Sequence, residues 1–244
     1  MYAGLAMAAI RCFARLTWAT AVPPATQIFV SAERHQGTLP MKHYVILPAL
    51  LAASPALGHH PMGGEAPPTV FHGLLSGLAH PVIGPDHLAF IVLTGLAAAF
   101  AGRSLAGPVV FVLATLAGTA VHLAGVTLPV AELVIMASVI VLGALLVMGR
   151  QVSGPVALAG FALAGIFHGW AYGEAVIGST PMPILAYLVD FGVIQFAIAA
   201  GVALFAGRMV QQGEGPLKAR LAAAVCMGVG LTFLFETVEH MIVG

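Results

Sequence analysis

The stretch that decides the fold runs from Val70 to Ala101, VFHGLLSGLAHPVIGPDHLAFIVLTGLAAAFA. It exceeds the about 20 residues that a helix needs to cross the hydrocarbon core of a bilayer. Asp86 is its one carboxylate, and it has no lysine or arginine. Two dipeptides, His80-Pro81 and Gly84-Pro85, interrupt it. Proline removes a backbone donor and disfavours helix in the residue before it. The spacing predicts an outer helix near 69–79, an irregular turn at 80–85, and an inner helix that starts with Asp86 as its N-cap. Non-helical backbone at membrane depth is tolerated only when buried in protein or lining a cavity, and broken helices often carry the substrate sites of transporters.

Five further apolar stretches follow, near 106–126, 129–148, 155–175, 183–206 and 219–242. With 69–101 they predict an all-α, polytopic membrane bundle of six transmembrane helices, the first of them broken by proline and glycine. Composition agrees. Charged residues make up 7% of the 244 positions and apolar residues 60%, against about 25% and about 45–50% in a soluble domain. That balance excludes a disordered chain, a nucleic-acid binder and a soluble globule. The lipid bilayer is the implied partner, and association into a homo-oligomer stays open. Cys12 and Cys226 form no metal or disulfide motif.

Upstream, Met41–Gly58 has the three regions of a secretory signal peptide. Lys42 and His43 are polar, Tyr44–Ala53 is apolar, and Ala56-Leu57-Gly58 offers a small-x-small cleavage site. Residues 1–40, interrupted by Arg11, Arg15, Glu33, Arg34 and Pro23-Pro24, are expected to be a non-structural upstream extension. Residues 59–244 are then the permease-like membrane domain. Arg103, Arg150, Arg208, Lys218 and Arg220 fall in or beside alternate connections, and the connections at 127–129 and 180–183 have no basic residue. The positive-inside rule places the basic connections in the cytoplasm and both mature termini on the other side, in the periplasm of a bacterial inner membrane. Cleavage of a signal peptide requires the same placement.

Ten histidines outnumber the nine lysines and arginines. Ionisable groups inside a membrane are costly, so each needs a reason. His80, Asp86 and His87 form one constellation around the predicted break, and imidazole with carboxylate is the ligand set of nickel, cobalt and zinc. The plainer alternative is that Asp86 caps a helix and the histidines bond carbonyls freed by the prolines. Phe167–Glu174, FHGWAYGE, forms a second constellation in which His168 and Tyr172 share a helix face and Glu174 is displaced from it. Its alternative is an aromatic packing face.

The other candidates are His72, His122, Glu132, Asp190, Glu236 and His240, most of them toward the outer ends of spans, with His59 and His60 at the mature N-terminus. They would line an inward path or a secondary metal site. Glu236 and His240, one helical turn apart, could equally form a polar interfacial end, and His59 and His60 an idle tail.

At these residues the chain resembles the HupE/UreJ family, inner-membrane accessory proteins of hydrogenase and urease systems regarded as nickel permeases, some linked to cobalt. The family's His-x5-Asp-His motif is matched by His80, Asp86 and His87. Its Phe-His-Gly-x-Ala-His-Gly-x-Glu motif is matched in part by Phe167, His168, Gly169, Ala171 and Gly173. Tyr172 stands where the family has a second histidine, and the glutamate follows Gly173 directly as Glu174. The resemblance implies uptake of Ni2+, with Co2+ or Zn2+ as alternatives, through a site built from His80, Asp86, His87, His168 and Glu174. It implies no organic cofactor.

Two other classes of function compete. An intramembrane hydrolase would use buried histidine and acid groups, but no His-Glu-x-x-His pair occurs, and Gly73-Leu74-Leu75-Ser76-Gly77 reads more simply as a small-residue packing face. A membrane metal-binding or sensor subunit without transport would use the same ligands.

Overall fold

The computed structural model describes residues 65–102, 104–150, 152, 154–211 and 215–243. The readings of 1–40, 41–58 and of His59 and His60 lie outside these residues. Among the described residues the fold is all-helical: α1 (Val70–Ile83), α2 (Pro85–Phe100), α3 (Ala106–Leu123), α4 (Ala131–Val147), α5 (Gly154–Gly173), α6 (Pro181–Gln211) and α7 (Gly215–Val243), with a single 3-10 turn at Glu174–Val176.

Four helices, α3, α5 (with its 3-10 turn), α6 and α7, are each long and apolar enough to cross a membrane. The α1–α2 pair passes the same test jointly, although bent by 78°. At 17 residues, α4 is apolar and about 26 Å long, slightly short of a hydrocarbon core. Large apolar side chains cover the outside of the bundle, with Phe205 at 68% exposure and Phe235 at 69%. A helical protein with such an exterior is a membrane protein.

The chain is interrupted at Gly84-Pro85, the second of the two expected dipeptides, and not at His80-Pro81. Helix α1 continues through Pro81 to Ile83, and the break is Gly84 alone, whose N–H reaches the His80 carbonyl at 3.2 Å. Gly84 is also the N-cap of α2, Pro85 occupies its first turn, and Asp86 makes no capping bond. The expected turn at 80–85 and the Asp86 cap are therefore corrected. Tertiary contact explains why the proline is tolerated. Gly73, Ser76, Gly77, His80 and Pro81 form one buried stripe on α1, and side chains at Gly73 and Gly77 would collide with the α6 backbone at Pro183 and Tyr187. Such close contact holds the last turn of α1 against α6 despite one missing hydrogen bond.

The same kind of approach organises the remaining helices. Gly165 and Gly169 of α5 press against the α3 backbone at Phe111 and Thr115, and Gly143 of α4 against Met227 of α7. From the order of these contacts, α1 runs parallel to α6, α3 parallel to α5, and α4 antiparallel to α7. Helix α2 is buried on nearly every side, from Asp86 to Ala99, as expected for a helix apolar all round. It is the axis of the bundle, and the ionisable residues at its start, Asp86 and His87, are buried with it.

Candidate functional site

Five helices converge at the start of α2. His80 is 3% exposed, Asp86 2%, His87 4% and His168 0%. On a straight helix His80 and His87 would share a face but stand about 10.5 Å apart along the axis. The bend at Gly84 brings their ring centroids to 6.1 Å. Glycine is needed there for space, since a Cβ would lie 2.9 Å from the His87 ring. His168 of α5 then meets His87 with Nδ1 to Nδ1 at 3.1 Å, and Asp86 Oδ2 lies 3.5 Å from the same His87 nitrogen.

Backbone carbonyls at two ends of this network fix the direction of its hydrogen bonds, because a carbonyl only accepts. Ser138 of α4 donates to the Ile135 carbonyl at 2.6 Å, so its oxygen accepts from His168 Nε2–H at 3.0 Å. With Nε2 protonated, the neutral His168 ring carries its lone pair on Nδ1 and accepts from His87 Nδ1–H. One proton therefore sits between the two imidazoles, close to the Asp86 carboxylate. At the other end Tyr187 of α6 donates to the Tyr172 carbonyl at 3.1 Å, and its oxygen accepts from His80 Nδ1–H at 3.1 Å. In the neutral ring His80 then carries its lone pair on Nε2.

Aromatic rings wall the cluster. The Tyr172 ring lies 4.3 Å from His87 and 4.9 Å from His80 between centroids, and Phe90 lies 4.6 Å from His168. Three buried oxygens in this part of the bundle, Ser76 Oγ, Asp86 Oδ1 and Tyr172 Oη, have no hydrogen-bond partner. Buried orphans of this kind usually mark strain or a missing ligand. Among the described residues, no three His, Cys, Asp or Glu side chains already form a closed set around one point that could hold a metal ion.

Of the sequence candidates, the structure brings together His80, Asp86, His87 and His168. Glu174 falls on the 3-10 turn after α5 and is exposed, so it stands outside the cluster. His72 is tied locally to Thr69, the N-cap of α1, at 2.7 Å. His122 donates to the Trp170 carbonyl at 2.7 Å and lines a cavity of about 470 Å³ with Trp170, Ser179 and Ile184, at the end of the bundle where α3 and α5 finish. Glu132 and His240 are exposed, and Asp190 and Glu236 are partly buried.

Sequence reasoning missed Ser138 and Tyr187. Each was visible only as a hydroxyl in an otherwise apolar span. Gln195, also missed, is fully buried two turns beyond Tyr187 and donates to Thr115 Oγ1 at 3.2 Å.

The family model for "HupE / UreJ protein" matches residues 47–233. Among curated proteins, Protein HupE of Rhizobium leguminosarum bv. viciae is 30% identical over 196 residues, covering 77% of this chain and 100% of the relative. No solved structure matches. The matched region spans all five helices that supply the cluster, so the chain belongs to the HupE/UreJ family.

Proposed function

We propose that this protein is an inner-membrane uptake permease for a divalent transition metal, Ni2+ or alternatively Co2+, serving hydrogenase or urease maturation. On this reading α1–α2 together and α4 both cross the bilayer, giving six crossings. The end carrying Arg150, Arg208, Lys218 and Arg220 faces the cytoplasm.

The observation that carries the proposal is the buried His87–His168 pair. A metal bound to both Nδ1 atoms at the usual about 2.1 Å, with those atoms 3.1 Å apart, subtends an angle of about 95°. That suits two adjacent ligands of a square-planar or octahedral ion better than a tetrahedral one, and nickel and cobalt accept such geometry. The ion takes the place of the shared proton, which would move to His87 Nε2 so that both neutral rings turn an Nδ1 lone pair on the ion. Asp86 Oδ1, buried without a partner, then becomes a third ligand. His80, oriented through Tyr187 and Tyr172, faces the path by which the ion arrives or leaves.

Nickel uptake by cells expressing wild type, His87→Ala, His168→Ala and Asp86→Asn tests this, with membrane abundance checked by immunoblot. Wild type should accumulate nickel well above empty cells, and the three variants should fall to background. Accumulation by all three at the wild-type rate would refute the site, and accumulation by wild type no higher than in empty cells would refute transport. Bound nickel without uptake would favour a sensor or storage subunit.

A further inference from the structure

Away from the histidines, at the basic end of the bundle, a cavity of about 310 Å³ opens between the C-terminal ends of α2 and α4 and the N-terminal ends of α3 and α5. Its walls are apolar, from Ala97 and Phe100 through Leu142 and Leu145 to Ala157 and Phe161. Arg150 lines it, Ser104 is its other polar side chain apart from backbone groups, and no carboxylate among the described residues does. The guanidinium of Arg220 lies against Gly149, the residue before Arg150. The positive ends of α3 and α5 open on the same space.

We propose that this cavity holds one anionic phospholipid of the adjacent leaflet, an acyl chain lying in the apolar cleft and its phosphate at Arg150 and Arg220. An apolar cavity does not fill with water, and inside a bilayer the fluid at hand is a lipid tail. Two guanidinium groups, with no carboxylate lining the cavity among the described residues, select a negative headgroup over a zwitterionic one. A hydrated divalent cation finds no ligand on these walls and is repelled by both arginines, which argues against an ion vestibule here. The proposal is independent of metal transport.

Native mass spectrometry of the full-length protein tests it, in detergent with equimolar phosphatidylglycerol and phosphatidylcholine of identical acyl chains. Wild type should retain phosphatidylglycerol preferentially, saturating at one per chain. Arg150→Gln, at an exposed position, should reduce that preference about fivefold. Ala157→Phe or Leu145→Phe, which fill the cleft from opposite walls, should reduce retention of both lipids. Equal retention of the two lipids by wild type overturns the proposal. So does a wild-type pattern in Arg150→Gln, or in both cleft-filling variants when they elute as a single monodisperse peak. Displacement of the lipid by soluble glycerol phosphate would show a headgroup site without a chain, and overturns it too.

Discussion

Replacing Ser138 by alanine removes one oxygen and tests the whole direction of the proposed network. Ser138 stands on α4 and accepts the His168 Nε2–H at 3.0 Å. His168 is fully buried, so the stranded N–H finds no water. Leaving a buried donor unsatisfied costs about 1–3 kcal/mol. The Ile135 carbonyl, which Ser138 also engages, keeps its place in the α4 ladder, so the penalty falls on the histidine.

His168 escapes part of that penalty by shifting its proton to Nδ1 or by rotating its ring, and either change removes the lone pair facing His87. Loss of an outer partner of a liganding histidine typically lowers metal affinity about 10–100-fold, which agrees with the range from the stranded donor. The assay is calorimetric titration of nickel into purified protein, with uptake measured in parallel. Ser138→Ala should weaken binding within that range, and Ser138→Thr, which restores the hydroxyl, should recover most of it. Thermal unfolding of the metal-free protein separates loss of the network from loss of the fold. Wild-type nickel affinity in a well-folded Ser138→Ala would refute the assigned directions and, with them, the place of His168 in the site.

Tyr172→His puts a third imidazole beside His87 and His80, so equilibrium nickel binding should tighten by tenfold or more while uptake per molecule falls, both readable from the same titration and uptake assays. Glu174→Gln alters an exposed carboxylate outside the cluster and should change nickel affinity by less than about twofold, within the scatter expected for surface positions. Gly169→Ala drives a methyl group into the Thr115 backbone and should destabilise the protein by about 1–3 kcal/mol. Gly160→Ala on the same helix meets nothing within 4 Å and should be neutral or raise Tm, since alanine is favoured over glycine in helices by up to about 1 kcal/mol.

Helix positions were legible because crossing a membrane demands long apolar runs, and the ends of α3, α4 and α5 fall within a few residues of the runs that predict them. An interruption within 80–85 was legible, but not that it is confined to Gly84. Pro81 signals interruption locally, while the approach of Gly73 and Gly77 to α6 is a tertiary fact that carries α1 past it to Ile83. His80, Asp86, His87 and His168 announced themselves by being ionisable in apolar sequence. Ser138 and Tyr187 did not, because hydroxyl residues occur throughout membrane helices, and only the fold shows which of them meets a histidine. Glu174 could be read as displaced from the His168 face, but not that it would fall on a 3-10 turn and be exposed.

Tyrosine at position 172 bears on what kind of site the proposed function requires. A storage or sensor protein gains from a closed set of strong ligands, whereas a permease must bind firmly enough to admit an ion and weakly enough to release it. Here two imidazole nitrogens are already adjacent, a carboxylate oxygen waits beside them, and the remaining walls are the rings of Tyr172, Phe90 and Phe111. Bare Ni2+ or Co2+ prefers four to six donors, so such a pocket leaves part of the shell to waters or to donors met along the path. An incomplete shell shortens the ion's stay. On the proposed reading, the proton that bridges His87 and His168 in the metal-free protein would sit on His87 Nε2 while the ion is bound and return to Nδ1 as it departs, so that emptying the site does not leave two bare lone pairs beside a buried carboxylate. On the proposed function, tyrosine rather than a further imidazole at position 172 shifts the balance from retention toward passage, and Tyr172→His should trade the second for the first.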